Sequence, residues 1–105
     1  MATAEAHGAV VKEIQGERAS SLSRATERLE AALAELEAAD AALRASPGDR
    51  PLAALRADAL AEAAERLWYL VIHREALGLS RHDVLDEVYR IPREVHLAMG
   101  PRRGR

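Results

Sequence analysis

The chain has 105 residues, 15 of them basic and 17 acidic, with no cysteine, no phenylalanine and a formal net charge of -2. That length suits one domain burying about 65% of its unfolded surface, and the near-cancelling charge excludes a global field drawing the molecule to nucleic acid or membrane. Without cysteine there are no disulfides, thiolate metal ligands or cysteine nucleophiles, and no apolar run approaches the roughly 18 residues that suggest a spanning helix.

Alanine and leucine dominate the apolar residues, and Trp68, Tyr69 and Tyr89 are the only aromatic ones. Alanine gives up no side-chain entropy in a helix and leucine little, whereas the strand formers are scarce. The composition therefore predicts an all-α protein. Lys12 is the only lysine among the basic residues, a bias that fits a GC-rich bacterial genome. The opening Met1-Ala2-Thr3-Ala4-Glu5 lacks the basic and apolar regions of a signal peptide, so a cytoplasmic location is the expectation.

Between about residues 5 and 45 there is no proline, and glycine occurs only at Gly8 and Gly16. One helix of roughly 60 Å is predicted there. Its most regular part is Leu22, Ala25, Leu29, Ala32, Leu36, Ala39 and Leu43, a heptad seam alternating leucine with alanine. Upstream the apolar face continues through Val11 and Ile14, but Arg18 interrupts its phase and Gly16 weakens the helix. The turn residues Pro47, Gly48 and Asp49 mark a loop over 46–50. Pro51 then opens a second helix over about 51–77, with Gly78 as its stop.

The second helix carries a stripe of Leu52, Leu55, Ala59, Ala63, Leu67 and Leu70, widened by Leu60, Ala64 and Val71. Its centre of gravity is the six-residue apolar run from Leu67 to Ile72, which demands cover on every face. Trp68 and Tyr69 are expected to be the hub of that core. Ser80 with Asp83 reads as a cap opening a short helix over about 81–89, and Pro92 opens another over about 92–99 before a basic tail at 101–105. Together these form a long antiparallel hairpin followed by two short C-terminal helices. Two rods would leave part of the leucine seam wet, so the predicted assembly is a homodimeric four-helix bundle, paired through Leu22, Leu29, Leu36 and Leu43 and closed over Trp68 and Tyr69 by the short helices.

Four histidines, His7, His73, His82 and His96, are the residues to weigh for metal or acid-base work. His82 and Asp86 stand one helical turn apart, but two ligands do not make a metal site. No glutamate stands three residues before a histidine, which excludes the Glu-x-x-His pattern of di-iron bundles. Ser20, Ser21 and Ser23 have neither a nucleophile elbow nor a recognisable base partner, and no glycine-rich phosphate loop is present. Neither an enzyme nor a cofactor is expected.

Arg74-Glu75 and Arg93-Glu94 each place an acid beside a base at the edge of an apolar cluster. They predict a polar latch, Arg74 with Glu94 or Glu75 with Arg93, pinning the last helix to the second. An alternative reading takes residues 83–99 as a helix-turn-helix-like unit, with Arg93 and His96 facing the major groove and the tail Arg102-Arg103-Gly104-Arg105 on phosphate. Asp86 stands where such units place a small residue and Arg90 where they place glycine, and the final helix is short.

Through Ala19-Ser20-Ser21-Leu22, Trp68 followed by Arg74-Glu75 and Gly78-Leu79, and Ile91-Pro92-Arg93-Glu94-Val95 with Met99-Gly100, the chain resembles a family of short uncharacterised bacterial all-helical proteins, a domain of unknown function. The resemblance covers most of the chain apart from the alanine-rich middle and the termini. It implies no activity, cofactor or catalytic residue, and draws attention only to the polar motif around Arg74, Glu75, Arg93 and Glu94. The functional expectation is a homodimeric helical interaction or scaffold module with an unidentified protein partner. The alternative is a small DNA-binding regulator.

Overall fold

A computed structural model describes residues 4–102. It contains four helices in chain order: α1 Ala4–Ala45, α2 Arg50–Ala76, α3 Asp83–Tyr89 and α4 Arg93–Ala98, with no strand among the described residues. The protein is all-α, a long helical hairpin followed by two short helices.

The hairpin turn is built from its local chemistry. Asp49 caps α2, its carboxylate accepting the amide of Leu52 at 3.1 Å, and Gly48 takes the left-handed angle φ 88° that the reversal requires. At the other end of α2 the Gly78 amide reaches the Glu75 carbonyl and the Leu79 amide the Arg74 carbonyl, both at 2.9 Å. With Gly78 at φ 81° this is a Schellman stop. The predicted cap at Ser80 is not used: α3 begins at Asp83, after His82, whose carbonyl accepts the amide of Leu85. Pro92 likewise stands just outside α4, in extended conformation at ψ 144°.

The core runs along the hairpin. Ala25, Leu29, Ala32 and Leu36 of α1 are buried against Ala63, Ala64, Leu67 and Leu70 of α2, and Leu85, Ile91 and Val95 close the same cluster. The heptad seam thus pairs α1 with α2 of its own chain. Leu29 and Leu36 are buried there, while Leu22 and Leu43 are half-buried, so the leucines expected to join two chains are largely consumed within one. Small alanines alternating with leucine let the two backbones approach closely, which is why so few aromatic residues are needed to fill the space.

The expected hub is corrected too. Trp68 is only half-buried, and Tyr69 and Ile72 are 38% and 42% exposed. The apolar run is therefore covered on one side, where Leu67 and Leu70 are buried, rather than all round. Trp68 and Tyr69 contact each other, ring centroids 5.2 Å apart.

α1 and α2 differ in length by fifteen residues, 42 against 27. Ala76 and Leu77, at the end of α2, share a small surface hollow with Arg18 and Ser21, so α1 extends past the end of α2 before that point. The molecule measures 68 × 26 × 21 Å. No helix among the described residues is long and apolar enough to cross a membrane.

Candidate functional site

Three polar constellations surround the hairpin. The first ties the last helix down, but through a residue that the sequence reading missed. Arg56 of α2 donates from Nε to Asp40 of α1 at 2.6 Å and from its terminal nitrogen to Glu94 of α4. One guanidinium thus joins three helices, as its forked donors allow. Donating to Glu94 and then to Asp40 raises the pKa of Arg56 further above its already basic value. The Arg56 hydrogen bond, and then its charge with that of Arg44, hold the Asp40 carboxyl below its ordinary value against a smaller desolvation cost.

The predicted latch is corrected accordingly. Glu94 is bound to Arg56, not Arg74, and Glu75 bonds to His82, not Arg93. Arg74 donates to the carbonyl of Arg81 at 2.7 Å and from Nε to Nδ1 of His82 at 3.4 Å. Because an arginine nitrogen only donates, His82 Nδ1 is the acceptor and its Nε2 hydrogen turns to Glu75 Oε1 at 3.3 Å. Arg74 and Glu75 therefore fasten the connection between α2 and α3. Arg93 is exposed and enters no ion pair among the described residues.

The second constellation bears on the nucleic-acid and metal readings. His96 Nε2 lies 2.5 Å from Asp86 Oδ1, tying α4 to α3. Arg102 donates to Asp58 at 2.6 Å, and its amide bonds at 2.9 Å to the buried Glu65. Two groups expected on DNA are thus engaged by carboxylates of the same chain, whereas Arg103 to Arg105 lie outside the described residues. Asp83, Asp86 and Glu87 also present three carboxylates on α3 beside the would-be recognition helix, a charge that repels phosphate. The guanidinium of Arg81 holds the Asp83 carboxyl below its ordinary value. Arg90, where helix-turn-helix units carry glycine, does adopt the left-handed angle φ 51° as the cap of α3. Among the described residues no three histidine or carboxylate side chains gather as a metal site, and His82 and Asp86 are turned to different partners.

The third constellation is a cleft of about 360 Å³ on one flank of the hairpin, lined by Ser21, Arg24, Ala25 and Arg28 from α1 and by the buried Glu65 with Arg66, Tyr69 and His73 from α2, three arginines against one carboxylate. Arg66 shares its Nε with Glu62 at 2.8 Å, and the His73 Nδ1 hydrogen reaches the Tyr69 carbonyl at 2.7 Å. Arg24 and Arg28 form no ion pair among the described residues. The only sign of this cleft in the sequence is two arginines four apart, with no acid three or four residues before either of them. The half from α2 stands some forty residues away and becomes a neighbour only through the turn.

Beyond the cleft, toward the N-terminus, every residue from 9 to 20 is exposed. Val10, Val11 and Ile14 are 52%, 38% and 44% exposed, on the same face by which α1 packs against α2 lower down. Comparison of the chain with known protein families, curated proteins and solved structures finds no match.

Proposed function

We propose that the protein is a cytoplasmic, non-enzymatic helical module that works as a homodimer and through it recruits or spaces other proteins. The observation that carries this reading is the length of α1. Its first turns outrun α2 and expose Val10, Val11 and Ile14, in a stretch from residue 9 to 20 where every side chain is exposed among the described residues. An isolated helical segment of about 15 residues is marginal in water. A continuous helix with an apolar face is stable there when another chain covers that face.

Leu29 and Leu36 serve the hairpin, which supports assigning the dimer contact to the upstream part of α1 instead. Replacing Val10 and Ile14 by aspartate is expected to yield a monomer whose circular dichroism loses only the helicity of the overhang. An unchanged solution mass would overturn the reading. The DNA-binding alternative finds less support, since His96 and Arg102 are paired and α3 is acidic. Fluorescence anisotropy of a labelled duplex should show little salt-sensitive association, and steep salt-dependent binding would restore the alternative.

A further inference from the structure

The basic cleft and the bare stretch of α1 lie on one stripe of the same helix. Val10, Glu13, Glu17, Ser21, Arg24 and Arg28 follow one another at intervals of three or four, so their side chains share a face. All but Ser21 are exposed. None of the four charged residues enters an ion pair among the described residues. Within the helix, Glu13 with Glu17 and Arg24 with Arg28 are like charges at spacing four, a locally unfavourable arrangement. The pattern is also palindromic. Glu17 is as far before the Ser20-Ser21 bond as Arg24 is after it, and Glu13 as far before it as Arg28 is after it.

We propose that the second copy lies antiparallel along this stripe, about a two-fold axis passing between Ser20 and Ser21, so that Glu13 and Glu17 of each copy enter the cleft of the other beside Arg28 and Arg24. The inference rests on the dimer reading above and adds the surface and the register. Three features of the fold support it. Charges that repel within one helix become matched pairs between two, and each contact occurs twice, as an isologous interface requires. The axis falls between Ser20 and Ser21, whose small side chains let two helices approach closely. Arg66 and Tyr69 form the far wall of the cleft, so the seated helix meets α2 as well as α1, and its Val10 and Ile14 come within reach of the exposed Tyr69 ring.

The overlap is sufficient in extent. Position 6 of one copy falls opposite position 35 of the other, so the two helices run together for about 45 Å at 1.5 Å per residue. That span can supply the number of residues per side that a standard stable interface uses. Continuity with the α1–α2 seam matters equally, because the face that packs within the chain at Ala25 and Leu29 is taken up again, beyond the exposed Arg18, by the bare Ile14 and Val11.

The register is tested by reversing charges. E13R/E17R makes all four stripe positions basic, and R24E/R28E makes them all acidic. Each variant should be monomeric alone by sedimentation equilibrium while folded by circular dichroism, and an equimolar mixture should form the heterodimer. In the otherwise cysteine-free chain, S21C should cross-link to a second copy under mild oxidation. If each folded variant dimerises as well as wild type, or if the mixture fails to associate, this register is wrong while the dimer reading stands. A wild type that is monomeric at every concentration reached would overturn both.

Discussion

Arg56 is the residue on which the placement of the last helix turns, because its guanidinium holds Asp40 of α1 and Glu94 of α4 at once. R56Q is expected to speed amide exchange throughout α4 while leaving the buried amides around Leu29 and Leu67 protected. Equal loss of protection in both regions would contradict that division. The pH dependence follows from Asp40. Its native pKa lies below the ordinary carboxylate value, so its contribution is complete above about pH 4 and falls away as pH drops through the lowered native value. Wild type should therefore lose more thermal stability than D40N between about pH 5 and 2. Parallel pH profiles would remove Asp40 from the clasp. The sequence showed Glu94, Arg74 and Glu75 as polar groups bordering apolar clusters, and each does bind at such a border. It did not show Arg56, whose partners stand 16 and 38 positions away; no local spacing reports a contact made by the hairpin turn.

Among the elements, α1 and α2 were legible almost end to end, because a heptad seam, a proline-glycine turn and a glycine stop all act over a few residues. The same locality misplaced the start of α3. Ser80 with Asp83 has the spacing of a cap, but the Schellman stop at Gly78 and the Arg74 bond to the Arg81 carbonyl hold the chain out of the helix until His82. The seam itself was read correctly as a surface for pairing helices and assigned the wrong partner, since spacing identifies a face without saying which helix covers it. Leu29 is fully buried against α2, so L29A should cost about 2–5 kcal/mol of unfolding free energy by chemical denaturation. A loss below about 1 kcal/mol would mean that the seam is not packed as described. D49A removes the acceptor for the Leu52 amide and should cost about 1 kcal/mol, which a thermal melt can resolve.

At the scale of the molecule, the shape carries the functional argument. A chain of 105 residues drawn out to 68 Å in one direction and 26 × 21 Å in the others leaves its longest helix exposed from residue 9 to 20. There the helix presents valine and isoleucine beside two glutamates. Composition and charge gave no hint of this, because net charge conceals the segregation of Glu13 and Glu17 from Arg24 and Arg28, and the relative lengths of the two helices matter only once they are folded side by side. Amide protection from residue 6 to 17 should accordingly rise with protein concentration, whereas protection in the hairpin core should not. The most direct measurement is sedimentation equilibrium of the unmodified chain over a wide concentration range. The account predicts a reversible dimer with twice the chain mass, and a single species of 11.4 kDa throughout would contradict it.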